Sequence, residues 1–166
     1  PLSHLATCTN CIAGFQHYLR DRQSLTPDFF GHTQWETLTP ATNRENAKLH
    51  YWTARYRCQV FSDFLKRGTD ILKAQLPDVR TAVNYNMSLS YGGNLLRNGV
   101  DWFLTQDEGL TYGWHEDWLN FGGTFQFCGY LVDFQRAAAR KHQQGYGMYN
   151  IMGGRKPWDI MAKSAA

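Results

Sequence analysis

One long amphipathic stripe constrains this chain more than any other feature. Thr42 and Glu45 stand at capping-box spacing, and Leu49, Trp52, Tyr56, Val60, Phe64 and Ile71 follow at helical intervals toward Gln75 until Pro77 ends the run. This pattern predicts a helix over 42–75, bent near Gly68. Such a helix must lay its apolar face against a core, and 166 residues can supply one without disulfides or metal.

Around that helix the punctuation predicts an alternating order of elements. Residues 2–22 carry Leu5, Cys8, Ile12, Phe15 and Leu19 at a period near 3.6, a second amphipathic helix, and 24–40 read as a loop broken by Pro27, Gly31 and Pro40. Residues 79–86 follow a Pro-Asp break with β-branched Val79, Thr81 and Val83, a strand pattern. The apolar run 100–105 reads as a second, buried strand opening into a loop over 106–123. Residues 124–143 form a helix stopped by Gly145, 147–152 a third strand, and 158–165 a last helix. Strand, connection, strand, loop, helix, strand is the grammar of an α/β fold with parallel strands and crossover helices, here a single domain over 1–166. A complete eight-stranded barrel needs about 250 residues, so the expected architecture is about half of a (β/α)8 barrel.

Composition excludes several function classes. Lys and Arg total 17 against 14 for Asp and Glu, a net +3 with no long basic block, so no nucleic-acid partner is implied. No apolar run approaches the ~20 residues that span a bilayer, and 1–17 lack the order of a signal peptide; the chain reads as soluble, with its compartment open. Four cysteines, Cys8, Cys11, Cys58 and Cys128, are too scattered for a disulfide framework. Cys8 and Cys11 have the spacing of a redox pair or half a zinc site. With no second ligand pair nearby they read as buried thiols on the helix of 2–22, and no metal or cofactor is expected.

The chemistry concentrates in 99–120, GVDWFLTQDEGLTYGWHEDWLN. Carboxylates beside indole rings suit a sugar site: acids move protons or attack an anomeric carbon, and flat apolar faces lie against a pyranose. Glu108 and Glu116 sit at the two ends of one loop and form the best catalytic pair, with Asp117 beside them. Trp114 and Trp118 are the sugar platforms and would raise a carboxyl pKa by excluding water. Asn84, Tyr85, Asn86 and His115 complete the substrate-binding set. The plainer alternatives are solvated acids, helix-end charges at Glu116 and Asp117, strand-end capping by the asparagines, and a surface hydrogen-bonding His115.

With VNYN after a Pro-Asp break, then DWFLTQDEG and GWHEDW, residues 46–151 resemble the central to C-terminal part of the catalytic barrel of β-galactosidase-like glycoside hydrolases. The resemblance implies hydrolysis of a β-linked sugar by paired carboxylates. It also implies a carbohydrate substrate; separately, three short strands leave two unpaired parallel edges, which predict a homodimer or association with a missing part of the same protein. This chain departs from the family in having no Asn-Glu pair at a strand end and no acid in 147–152. Either the catalytic pair stands among Asp107, Glu108, Glu116 and Asp117, or the chain is a non-catalytic carbohydrate-binding or structural relative.

Overall fold

The computed structural model describes residues 2–84, 95, 98–117 and 125–150, and at 2, 3, 116, 117, 125–128, 149 and 150 it describes the backbone alone. Two compact units, Pro1–Val60 and Phe61–Ala166, divide the chain.

The first unit begins with α1 (Leu2–Thr7) and α2 (Thr9–His17), which continues into a wider turn at Tyr18–Arg22. The single helix expected over 2–22 is interrupted at Cys8, whose backbone is extended (φ −88°, ψ 115°) and whose sulfur accepts the Cys11 N–H as an N-cap. Two short 3₁₀ turns, Pro27–Phe30 and Trp35–Thr37, precede α3 (Ala47–Gln75). Asn46, rather than Thr42, caps α3: its side-chain oxygen accepts the Leu49 N–H at 3.0 Å, so the helix starts later than the capping-box spacing suggests. Phe15, Tyr18, Leu19, Phe30, Leu38, Leu49 and Tyr56 form the core of this unit. Gln16 secures the loop above it by donating to the carbonyls of Trp35 (2.9 Å) and Leu38 (3.0 Å).

The second unit contains the rest of α3, a short helix at Trp102–Leu104, a wide turn at Thr105–Gly109, β1 (Tyr112–Asp117), α4 (Phe125–Lys141) and β2 (Gly145–Asn150). The strands pair in parallel, with Tyr112 opposite Gly145 and Asp117 opposite Asn150. Val100, Trp102, Leu110, Leu131 and Ala138 form its core, against which Phe61, Leu65, Val83, Phe103 and Phe134 pack. In this part of α3 the inward residues are Ser62, Leu65 and Thr69, whereas Phe64 and Ile71 are about 70% exposed. The stripe from Leu49 to Ile71 is therefore buried only in its first part.

The half-barrel expectation is overturned. Helix makes up 64% of the described residues, and their only sheet is this two-stranded parallel pair joined through α4. Residues 79–84 form no strand, because threonine hydroxyls take the hydrogen bonds a ladder would use: the Thr81 N–H donates to Thr111 Oγ1 at 2.8 Å. The run 100–105 turns helical because Asp101 accepts the N–H groups of Phe103 (3.1 Å) and Leu104 (3.2 Å) on one carboxylate oxygen, a cap that a strand has no use for. Trp102, Thr105 and Gln106 then face inward together, at helical rather than alternating spacing. A strand stands where the long loop over 106–123 was expected, beginning at Tyr112. The last expected helix, 158–165, lies outside the described residues.

α4 ends in a Schellman arrangement: Gln143 adopts φ 55°, its N–H bonds to the Arg140 carbonyl (3.0 Å), and the Gln144 N–H bonds to that of Ala139 (3.0 Å). The side-chain amide of Gln144 then donates to the carbonyls of Gln106 and Leu110, both at 2.9 Å, fastening the wide turn to the entrance of β2.

Asp101→Ala removes the cap of the Trp102 turn from a buried position, so it should lower the unfolding free energy by about 1 to 2 kcal/mol, read as a lower urea midpoint.

Candidate functional site

β1 presents different chemistry on its two faces. Tyr112 and Trp114, half-buried, lean across the neighbouring strand onto glycines: a Cβ added at Gly145 would meet the Tyr112 ring at 2.6 Å, and one at Gly147 would meet the Trp114 ring at 2.7 Å and the Tyr112 hydroxyl at 2.9 Å. Any side chain at those positions would displace the rings. The two ring centroids are 6.5 Å apart with planes inclined by 34°, so they form a tilted aromatic shelf. The exposed Arg80 guanidinium lies over the Tyr112 ring, 5.5 Å from its centroid. Arg80 is held there because its neighbour Thr81 accepts, on its carbonyl, the N–H groups of Thr111 and Tyr112, both at 3.1 Å.

The other face of β1 is closed. Ala139 of α4 approaches so near that a Cβ on Gly113 would lie 3.1 Å from it. His115 is 1% exposed and sits 2.8 Å, through Nδ1, from the hydroxyl of Tyr146, with the rings stacked at 5.5 Å. Burial holds the imidazole pKa down to about 4 and pushes the Tyr146 phenol up. Both groups are therefore neutral at physiological pH. His115 is thus a core residue of the sheet, and neither the surface group nor the substrate-binding residue of the sequence reading.

The remaining sequence-derived positions scatter. Glu108 is exposed on the wide turn before β1. Its neighbour Asp107 lies beside Lys141 (3.5 Å) and His142 (3.4 Å) at the end of α4, exposed contacts that contribute little to stability. Asn84 is exposed on a segment that carries no strand, so it does not stand at a strand end beside Glu108. Glu116 and Asp117 occupy the last two positions of β1, in register with Tyr149 and Asn150, and their side chains lie outside the described residues. Tyr85, Asn86 and Trp118 lie outside them entirely. Sequence reasoning missed Tyr112, Arg80 and the two glycines. The available signal was a pair of period-two patterns, Tyr112-x-Trp114 and Gly145-x-Gly147, whose meaning depends on the strands being neighbours.

In the first unit, Cys8 and Cys11 are half-buried rather than core thiols. Hydrogen bonds from the Cys11 thiol and backbone lower the Cys8 pKa, and the same interaction together with burial raises that of Cys11. A pair split in this way at a helix start has one thiol favoured as thiolate and one as proton donor.

His115 makes stability depend on pH. Its folded pKa lies below the ordinary value near 6.5, so between pH 6.5 and 4 the unfolded chain binds a proton that the folded chain refuses, and stability falls as pH falls through that window. The loss should reach about 3 kcal/mol, and His115→Gln should flatten that part of the curve in urea titrations run at several pH values.

No protein-family model matches the chain, and no curated protein or solved structure matches it either.

Proposed function

We propose that the second unit binds carbohydrate on the Tyr112–Trp114 shelf, as a part or relative of a β-galactosidase-like glycoside hydrolase. The single observation that carries the reading is that glycines at 145 and 147 leave room for the two rings to pack across the neighbouring strand. A flat apolar surface beside hydrogen-bond donors matches a pyranose, whose axial C–H groups stack on a ring while its hydroxyls take polar partners. Trp114 is the platform, and the Arg80 guanidinium is the donor at its rim. Hydrolysis is the second reading, favoured by Glu116 standing two residues beyond Trp114 in the same strand. Its partner carboxyl would be Glu108, and the separation of the two would set the outcome: roughly 5 to 5.5 Å for retention, 6.5 to 9.5 Å for inversion.

Isothermal titration of a panel of β-linked oligosaccharides should give heat with at least one. Trp114→Ala should weaken that binding about tenfold or more, a loss of some 1.4 kcal/mol. Gly147→Ala keeps every aromatic side chain but tilts the Trp114 ring, and should weaken it as well. Silence from the whole panel would remove the sugar reading. Glu116→Gln separates the two versions: turnover abolished with binding retained supports the hydrolase, and an unmodified chain that binds without turnover supports the binding protein.

Association with a second copy or with a further part of the same protein also belongs to this reading. Its support is the outward pair Phe64 (70% exposed) and Ile71 (69%), two large apolar side chains on one side of α3. Light scattering at micromolar concentration should report a species heavier than one chain, and Phe64→Ser with Ile71→Ser should return it to monomer mass.

A further inference from the structure

The first unit carries a three-residue cluster that the sugar reading does not use. His4, Cys8 and Cys11 each bring one ligand atom to a common point, with all three atoms within 4.8 Å of one another. Their spacing of four and then three residues would put them on one face of a helix, and the break at Cys8 turns that face into a cradle. α1 presents His4, the extended Cys8 presents its sulfur at the junction, and the first turn of α2 presents Cys11. His4 is exposed and both cysteines are half-buried, so an ion has a way in and the imidazole has room to rotate.

We propose that His4, Cys8 and Cys11 form a mononuclear Zn²⁺ site with an open fourth position. Two thiolates and one imidazole are soft-to-borderline donors that suit Zn²⁺ over Mg²⁺ or Ca²⁺, which take oxygen ligands. A tetrahedral site with Zn–S of about 2.3 Å and Zn–N of about 2.0 Å holds its ligand atoms roughly 3.5 to 3.7 Å apart. The cluster therefore needs to contract by about an ångström, within reach of side-chain rotations at three accessible residues. The second shell is already in place: the Cys11 N–H points at the Cys8 sulfur at 3.4 Å, and both cysteines lie at the N-terminal end of α2, where the helix dipole favours thiolate. Binding releases the thiol protons to solvent and involves no change of oxidation state. The fourth position, which no other His, Cys, Asp or Glu of the described residues fills, is left to water or an incoming donor.

The test is a Co²⁺ titration of the reduced full-length chain under argon with a phosphine reductant. Tetrahedral visible bands and a sulfur-to-cobalt charge-transfer band should saturate at one equivalent, and Zn²⁺ should bleach both. His4→Ala should weaken binding about tenfold or more, and Cys8→Ser should remove most of the charge-transfer intensity. Octahedral Co²⁺ bands without charge transfer, or a His4→Ala chain with unchanged affinity, would overturn the site. If the cysteine variant fails to fold, peptide-resolved alkylation of the unmodified chain decides. Zn²⁺ should protect Cys8 and Cys11 together, and alkylation at an unchanged rate would count against the proposal. Sugar titrations play no part in any of these readouts.

Discussion

Three threonine hydroxyls hold the second unit together. Thr69 on α3 donates to the Gly109 carbonyl at 2.7 Å and lies 2.8 Å from Thr81 Oγ1, which in turn lies 3.3 Å from Thr111 Oγ1. Thr69 and Thr81 are buried, at 7% and 8% exposure, so these hydroxyls are shielded from competing water. The cluster joins the long helix, the irregular segment after Pro77 and the entrance to β1, and it gives the Gly109 carbonyl and the Thr81 N–H their partners. It positions Arg80 over Tyr112, and it dictates which residues of α3 face inward. With Thr69 inward, Phe64 and Ile71 fall on the far side of the helix, since each residue adds 100°.

The same strand then has a closed, buried face and a half-exposed aromatic one. His115 and Tyr146 satisfy each other inside the unit, a polar pair whose charged forms the interior excludes. One residue away, Trp114 is kept partly in solvent by the alternation of the strand. A flexible loop holding the same residues would lose ordering entropy on each binding event, whereas rings already seated on glycine have lost most of it in folding. This is the physical advantage of finding Trp114 in a strand rather than in the loop that its sequence surroundings suggest.

How much of this was legible depended on whether the deciding interaction was local. The two long helices were readable because their periodicity runs for many residues, and β2 was found within two residues of its start at Gly145. Local rivals decided the finer points. Asn46 competed with Thr42 for the cap, and Gln143 adopted the left-handed turn assigned to Gly145. The two expected strands failed for different reasons, one long-range and one local. Val79, Thr81 and Val83 have the composition of a strand, but Thr111, 30 residues away, supplied a hydroxyl that takes the Thr81 N–H in place of a ladder carbonyl. Val100 to Leu104 is too short for periodicity to separate a buried strand from a buried helical turn, and the Asp101 cap decided it. At the site, Trp114 could be singled out from its polar company, but Tyr112 acquires meaning only once Gly145 is known to lie beside it.

Register is what ties these features to one another. In the parallel pairing, Tyr112 meets Gly145 and Trp114 meets Gly147, while the narrow Gly113 lets α4 close over the opposite face. A slip of one residue along β2 would set Trp114 against Tyr146 and His115 against Gly147, or Trp114 against Met148 and His115 against Tyr149. The rings would lose their seats, and the inward and outward sets of β2 would exchange. Tyr146 would then be carried to the other face, leaving the buried imidazole of His115 without its hydroxyl partner. The glycines on both strands therefore act as register marks as well as spacers. A substitution that loosens the shelf also loosens the pairing that buries His115, so the aromatic face and the core of this unit cannot be altered independently.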